Sequence, residues 1–202
     1  MTVNDNSVNI KDAKGRYHHG DLRAALVAEG LRLLADSDAE HLSLREIARN
    51  VGVSATAVYR HFPDKHALLS ALAFEGGEQL ARQQMAAQEA AGGGVAGHDA
   101  TGRVYVRFAL ANPALFRLMT VSAREGPTMD SCSGHVTGLD LLRRNVAALA
   151  ASSTSKDAQH VRTVQSWALV HGLAMLMLDG KVPPDESLID RVVNTQTLHG
   201  RG

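Results

Sequence analysis

Residues 43–65, SLREIARNVGVSATAVYRHFPDK, contain two short helical segments that are separated by a tight corner. Ser43 and Glu46 have the S-x-x-E spacing of a capping box, which predicts the start of the first helix. Gly52 suits the left-handed conformation that ends a helix, and Ser54 can cap the next helix at once. The stretch therefore predicts a helix-turn-helix corner.

Such a corner holds a short helix at a fixed angle, which is the geometry that places a helix in the major groove of DNA. Val58 and Phe62 are four residues apart on the predicted buried side of the second helix. Thr56 and Tyr59 then face outward, together with Arg45 of the preceding helix. An arginine can donate two hydrogen bonds to a guanine edge, and hydroxyl groups can reach bases or phosphates. The pattern therefore indicates DNA binding, although helical corners also occur in proteins that do not bind DNA.

Composition restricts the class of protein. The chain has 202 residues, 45% of them hydrophobic, and a formal net charge of +0. It can therefore bury a core as one sizeable domain or two small ones, and any DNA binding must come from a local arrangement of charge. The sequence has no signal-peptide pattern and no membrane span, and its one cysteine, Cys132, cannot form an internal disulfide. We expect a cytoplasmic protein.

Apolar residues recur at spacings of three and four through almost every segment, which predicts an all-α fold. We expect a mobile tail at 1–15, a three-helix helix-turn-helix domain at 16–64, and a second helical domain at 65–202, joined to it by a long helix. Asp21 is the expected N-cap of the first helix. The glycine-rich AAGGGVAG predicts a flexible break after Ala90. Further helices are expected at about 99–111, 113–121, 134–151, 157–179 and from residue 185.

The run from Tyr17 through Leu69, above all LSLREIARNVGVSATAVYRHFPDKHALL, resembles the DNA-binding domain of the tetracycline-repressor (TetR) family of bacterial transcriptional regulators. The resemblance implies that Ser43 and Lys65 hold phosphates, that bases face Arg45 and the start of the second helix, and that Tyr59 and His61 contact the DNA backbone. The predicted DNA-binding residues are Arg16, Ser43, Arg45, Ser54, Ala55, Thr56, Ala57, Tyr59, Arg60, His61 and Lys65.

Two members of this set can also be interpreted without the family resemblance. A cation in the first turn of a helix, such as Lys65, opposes the helix dipole unless a phosphate lies nearby, and the alternative is that it extends into water. Arg16 belongs with Lys14, His18 and His19 to a basic stretch that can form an arm on DNA. The alternative for that stretch is a solvated tail.

YVRFALANPALFRLM (105–119) and WALVHGLAMLML (167–178) resemble a TetR subgroup with a Trp-x-x-x-His-Gly helix. Trp167, His171 and Met175 lie on one stripe of that helix. Facing residues are expected to be Phe108, Phe116 and Met119, and the six residues together predict a site for a largely apolar effector. The alternatives are an ordinary core and, for His171, a buried histidine with a satisfied hydrogen bond.

Family members of this kind are dimers whose C-terminal helices bind a small molecule. The resemblance therefore implies a homodimer and an effector-binding and dimerisation domain at 65–202. Ala168 and Gly172 permit close helix approach, and Leu188, Val192 and Val193 give the last helix an apolar side. We therefore expect a dimer interface made from the last two helices.

Three functions remain open from the sequence. The first is a dimeric repressor that binds a pseudo-palindromic operator and is released by a small-molecule effector. The second is a helical enzyme with a metal at His18, His19 and Asp21, which is disfavoured because no H-x-x-x-H pair shares a helix face. The third is an effector-independent DNA-binding protein or dimerisation module. The sequence predicts no catalytic residues, no metal and no cofactor.

Overall fold

A computed structural model describes residues 19–122 and 137–195, the first three residues and residue 122 by their backbone alone. Within these two ranges every regular element is an α-helix, as predicted. The helices are α1 (His19–Asp36), α2 (Leu44–Val51), α3 (Ala55–His61), α4 (Lys65–Ala90), α5 (Gly94–Ala111), α6 (Pro113–Ser122), α7 (Gly138–Leu149), α8 (Lys156–Leu178) and α9 (Glu186–Val192). None of them is both long and apolar enough to cross a bilayer.

The starts of α1 and α2 differ from expectation. Because α1 begins at His19, Asp21 lies in its first turn and is not the N-cap. Ser43 is the N-cap of α2, but its side chain makes no capping hydrogen bond, and Glu46 instead pairs with Arg49 at 3.2 Å. The predicted capping box is therefore wrong.

The corner itself is confirmed. Gly52 has a φ of 77°, in the left-handed region, and the N–H of Val53 donates to the carbonyl of Ala48 at 2.9 Å. Ser54 then caps α3 by accepting a hydrogen bond from the N–H of Ala57 at 3.2 Å. These bonds satisfy backbone groups that both helix ends would otherwise leave unpaired, so the turn between α2 and α3 is tightly defined.

The N-terminal helices pack on the first half of α4. Val58 of α3 and Phe62, the C-cap of that helix, are buried, as predicted, in a core that also contains residues of α1, α2 and α4. α1 and α4 are in close contact at Gly30, where an added Cβ would lie 2.9 Å from Cδ2 of Leu72. Since α4 then continues into the C-terminal helices, one long helix connects the two parts of the fold, as expected.

The glycine-rich break is a tight turn. α4 ends at Ala90 and α5 already begins at Gly94, about five residues earlier than predicted. Gly92 and Gly93 have φ values of 75° and 72°, which glycine adopts without steric cost. Consecutive left-handed residues let the chain reverse within three positions, so α4 and α5 pack directly against each other.

The last helix packs on α5 of its own chain. Ile189 and Val193 are buried, and Arg107 of α5 pairs with Glu186 at 2.7 Å and with Asp190 at 3.1 Å. Val193, one of the three residues that give the last helix its apolar side, therefore packs within its own chain, whereas Leu188 and Val192 are half-buried. The dimer interface through the last two helices stays a prediction.

Candidate nucleic-acid interface and effector site

α2 and α3 together present an exposed polar face. Arg45 on α2 and Thr56 and Arg60 on α3 are exposed, and the side chain of Tyr59 is 45% exposed. Ala55 lies beside them on the same exposed side. In the two described ranges, none of these polar side chains has a hydrogen bond or ion pair, so their donors are available to an external partner.

This face is held by a polar contact between α1 and α2. Glu29 accepts two hydrogen bonds from Arg32, at 2.7 and 2.8 Å, and one from Nδ2 of Asn50 at 2.7 Å. The hydrogen bonds from Arg32, and then that from Asn50, lower the pKa of Glu29 to about 2. The carboxylate is therefore charged at neutral pH and links the end of α2 to α1.

The remaining predicted DNA-binding residues take different positions. Ser54 is occupied as the α3 cap, whereas Ser43, Ala57 and His61 are half-buried at the edges of the same face. Lys65 is also half-buried, and its Nζ donates to the backbone carbonyl of Glu40. That bond uses one of three ammonium protons and ties the start of α4 to the α1–α2 connection. Arg16 lies outside the described residues.

Four rings form a cluster between α5, α6 and α8. Tyr105 meets Phe116 edge-on with ring centroids 5.4 Å apart, and the His171 ring lies 5.8 Å from Phe116 and 6.2 Å from Trp167. Phe116 is buried, His171 half-buried and Trp167 36% exposed. The cluster therefore reaches from the core to the surface of α8.

Two hydrogen bonds order the polar atoms of this cluster. Nε1 of Trp167 donates to the Tyr105 hydroxyl at 3.4 Å, and that hydroxyl lies 3.0 Å from Nδ1 of His171. Burial raises the pKa of Tyr105 and lowers the pKa of His171, so both groups are kept neutral. His171 therefore has the hydrogen-bond partner that one interpretation of the sequence predicted, and it lies at the edge of the apolar ring cluster.

The structure unites only part of the predicted effector set. Phe116, Trp167 and His171 meet, whereas Phe108 is buried outside the ring cluster, Met119 lies against Gly76 of α4, and Met175 is half-buried against the core. Tyr105 is the residue that sequence reasoning missed. It stands three residues before Phe108 on α5, and the signal that could have found it was a hydroxyl-bearing ring in an otherwise apolar stretch.

Several large apolar side chains of α8 are exposed, with the exposed Gln165 between them. Val161 and Leu176 are each 46% exposed and Val164 is 40% exposed. A Cβ added at Gly172 would meet nothing within 4 Å, and Ala168 is exposed. Large exposed apolar side chains at helical spacing are typical of an interaction surface.

Metal chemistry has no candidate in the described ranges, which contain no group of three or more histidine, cysteine, aspartate or glutamate residues placed to hold an ion. His18 and Cys132 lie outside the described residues, and the side chains of His19 and Asp21 are not described. The described residues therefore do not test the disfavoured alternative of a metal at His18, His19 and Asp21.

Comparison with known proteins gives matches in both halves of the chain. Residues 26–72 match the model of bacterial regulatory proteins of the tetR family, and residues 99–196 match the tetracyclin repressor-like C-terminal domain. The HTH-type transcriptional regulators Rv1816 of Mycobacterium tuberculosis (strain H37Rv) and Mb1846 of Mycobacterium bovis are each 40% identical over 68 residues. Those matches cover 34% of this chain and 29% of the relatives' length.

Solved structures resemble the whole fold. A protein of unknown function from Rhodococcus sp. RHA1 superposes with a TM-score of 0.73 at 33% identity, over 92% of this chain and 96% of that one. A tetR-family transcriptional regulator from Streptomyces coelicolor has a TM-score of 0.62 at 22% identity, over 86% and 78% of the respective chains. The second likeness concerns the fold alone.

Proposed function

Because this chain belongs to the TetR family of transcriptional regulators, which are not enzymes, we propose that it binds a pseudo-palindromic operator as a homodimer and represses transcription until a small-molecule effector releases it. The observation that carries the proposal is the exposed α2–α3 face, whose Arg45, Thr56, Tyr59 and Arg60 have no partner among the described residues. DNA is the partner, and the cytoplasm is the compartment in which a bacterial protein meets it.

Each side chain on this face has a distinct proposed role. Arg45 donates to a guanine edge, and Thr56 bonds a base edge or touches a thymine methyl group. Ala55 and Ala57 add methyl contacts, whereas Tyr59 and His61 bind the DNA backbone. Ser43 has its hydroxyl free of a capping bond at the N-terminus of α2, which suits a phosphate. The contact between Glu29 and Asn50 joins the end of α2, on which α3 packs, to α1.

The homodimer is proposed to form through the exposed face of α8. Val161, Val164 and Leu176 supply apolar area, and Ala168 and Gly172 allow two helices to approach closely. Two-fold pairing of identical faces presents two recognition helices to successive major grooves, about 34 Å apart. An effector-independent dimerisation module would use the same face but would not respond to ligand.

The effector is proposed to bind at the ring cluster of Tyr105, Phe116, Trp167 and His171. Its apolar body packs on the rings, and the hydroxyl and imidazole give it polar contacts. The dimer has one arrangement in which its two DNA-binding heads fit the operator and one in which they do not. The effector releases the DNA only if it binds the second arrangement more tightly, because equal affinity for both leaves their populations unchanged. α4 carries the change, because it runs from the DNA-binding helices into the C-terminal part.

Selection of genomic fragments by the purified protein, followed by footprinting at two salt concentrations, tests the DNA-binding part. We expect a short two-fold-symmetric footprint whose affinity falls steeply with salt. Absence of enrichment with folded, dimeric protein would contradict the proposal. Metabolite extracts are then screened for release of the protein from the recovered operator. A folded Trp167→Ala variant is expected to lose this release, because Trp167 belongs to the proposed effector site.

A further inference from the structure

The arginines of α1, α2 and α3 fall into two groups. Arg32 and Arg49 are each paired with a glutamate three residues earlier on the same helix, at 2.7 and 3.2 Å. Arg23 of α1 is exposed and makes no hydrogen bond or ion pair within the described ranges, as is also true of Arg45 and Arg60 on the α2–α3 face. A guanidinium has five N–H donors and a permanent positive charge. Arg23 is therefore a third unpaired arginine in this part of the fold, on a helix outside that face.

The guanidinium of Arg23 lies over the ring of Phe62. Its Cζ is 5.3 Å from the ring centroid, and Phe62 is only 1% exposed, whereas Arg23 itself is exposed. The side chain of Arg23 therefore lies on the solvent side of the buried ring. A cation over a ring face is attracted by the electrons of the ring, so this contact uses none of the N–H groups. The ring restricts where the guanidinium lies and leaves its donors free for another group.

The position of Phe62 in the chain places Arg23 beside the turn between α3 and α4. Phe62 is the C-cap of α3, directly after His61, and α4 begins at Lys65. The carboxylate of Asp64 in this turn caps α4 and does not pair with Arg23. Since His61 and Lys65 are the expected contacts of the DNA backbone at this turn, Arg23 places a further free cation next to them.

We propose that Arg23 binds a phosphate of the DNA backbone in each half-site, and that the ring of Phe62 positions its guanidinium for this contact. An arginine can donate two parallel hydrogen bonds to one phosphate, which suits a side chain whose donors are all free. A side chain that is already held in place loses less conformational freedom when it binds. This inference rests on the proposed function, because it requires the α2–α3 face to meet DNA.

The simpler alternative is that Arg23 only covers the ring of Phe62. Long charged side chains often lay their alkyl stem on apolar surface, and that role depends on the stem rather than on the charge. Arg23→Met keeps a long unbranched stem and removes the charge together with the N–H donors. Covering alone predicts that this variant binds DNA as the wild type does, whereas a phosphate contact predicts binding that is weaker and less dependent on salt.

The test is the binding of the full-length protein to two duplexes of equal length, one with the recovered operator and one of random sequence, over a range of salt concentrations. For Arg23→Met we expect the slope of log affinity against log salt to fall by about 0.9 for each subunit on both duplexes, because a phosphate contact carries no base information. Affinity at about 0.1 M salt should fall at least about tenfold. Arg23→Lys keeps a charge and should keep the slope of the wild type. An unchanged slope for Arg23→Met overturns the proposal.

Arg144→Met is the matched control. Arg144 is exposed on α7, in the C-terminal part of the fold, and its substitution removes the same charge. Its salt slope should equal that of the wild type, which separates a local contact from a change in net charge. Arg23→Gln, which is also neutral, replaces Arg23→Met if far-ultraviolet circular dichroism shows that the methionine variant does not fold. Equal losses of slope with the variants at residues 23 and 144 overturn the contact.

Ethylation of individual phosphates in the operator locates the contact. We expect each half-site to contain a phosphate whose ethylation weakens binding of the wild type but not of Arg23→Met. Lys65→Ala should lose its sensitivity at a different phosphate, because Lys65 begins α4 whereas Arg23 lies on α1. The same set of interfering phosphates for the wild type and for Arg23→Met overturns the proposal.

A double-mutant cycle tests the positioning role of Phe62. Phe62→Leu keeps an apolar side chain in the core and removes the ring. We expect it to weaken operator binding about threefold more in the wild-type background than in Arg23→Met, where the ring has no guanidinium to position. An effect through packing alone would be the same in both backgrounds, and that result overturns the positioning role. Phe62→Met serves if Phe62→Leu does not fold.

The random-sequence duplex keeps this inference distinct from the proposed function. A salt slope that depends on Arg23 on random DNA, without enrichment of any operator, supports the phosphate contact and counts against the proposed repressor. Operator enrichment with an unchanged slope in Arg23→Met supports the proposed function and overturns the contact. A folded protein that enriches no fragment and does not bind random DNA overturns both.

Discussion

The Tyr105 hydroxyl lies 3.0 Å from Nδ1 of His171, and this contact links the imidazole to the ring cluster. The indole N–H of Trp167 can only donate, so the Tyr105 oxygen accepts from it. In the neutral tautomer that carries its proton on Nε2, Nδ1 of His171 accepts from the Tyr105 hydroxyl. Burial favours the neutral form by lowering the pKa of His171.

Protonation of His171 should therefore destabilise the fold. A histidine whose pKa is lower in the folded than in the unfolded state contributes stability above the unfolded value, about 6.5, and loses it as the pH falls towards the folded value. We expect the free energy of unfolding of the wild type to decline as the pH falls from about 7 to 5. Urea denaturation at a series of pH values measures this decline.

The matched variant is His171→Asn, which keeps an acceptor for Tyr105 and removes the titrating group. The free energy of unfolding of this variant should decline less over the same pH range than that of the wild type. The decline that remains is assigned to His98, because burial also lowers the pKa of that histidine. Identical pH slopes for the two proteins would mean that His171 is not the group that titrates.

Arg45→Ala should relax sequence preference at one base pair in each half-site, at a cost of about 1–3 kcal/mol for the preferred base. The control is Arg49→Ala on the same helix, because Arg49 is equally exposed but is paired with Glu46 at 3.2 Å. Binding of a set of single-base operator variants distinguishes the two. A uniform loss across all sequences with Arg45→Ala would contradict its role in reading a base.

Much of the fold could be predicted because local chemistry decides it. The corner depends on interactions within one helical turn, at Gly52 and Ser54, and the buried side of the second helix on the spacing of Val58 and Phe62. The structure confirms both. The capping box failed although its sequence was present, because Glu46 has a second partner, Arg49, three residues further along the same helix. A pattern of residue types cannot decide between two partners that compete for one carboxylate.

The effector region could be predicted only in part, since it depends on contacts between distant segments. The stripe of Trp167 and His171 is visible in the sequence, but the meeting of His171 with Tyr105, which is 66 residues away, requires the packing of α5 on α8. The burial of Val193 in its own subunit is likewise a matter of tertiary packing, because an apolar side of a helix does not identify its partner.

Gly76 permits the close contact between α4 and α6. An added Cβ there would lie 2.8 Å from Sδ of Met119 and 2.9 Å from Cδ1 of Leu115, whereas nothing lies within 4 Å of one added at Gly77. Alanine at either position gains helix propensity, about 1 kcal/mol, but only Gly76→Ala also strains the packing. We expect its free energy of unfolding to be about 1–3 kcal/mol below that of Gly77→Ala. Equal values would contradict the close approach of the two helices.

Lys65→Ala should weaken binding to all DNA sequences alike, because a phosphate contact carries no base information. Loss of one such contact per subunit lowers the slope of log affinity against log salt by about 0.9 for each subunit. Arg82→Ala, on the same helix and paired with Glu75 at 3.0 Å, is the control for a cation away from α2 and α3. An unchanged salt slope together with a lower melting temperature would assign Lys65 solely to its bond with the Glu40 carbonyl.

Val164→Arg should convert the protein to a monomer, because two copies of the exposed α8 face would then bring like charges together in an apolar contact. The control is Val121→Arg on α6, which places the same charge at another exposed valine, 61% exposed compared with 40% for Val164, outside the proposed interface. Sedimentation equilibrium gives the mass of each variant, and far-ultraviolet circular dichroism verifies that both are folded. We expect only Val164→Arg to lose the dimer, and its operator footprint should be lost with it, since a single head retains half of the phosphate contacts. A dimeric Val164→Arg protein that still protects both half-sites would place the dimer interface elsewhere than on this face of α8.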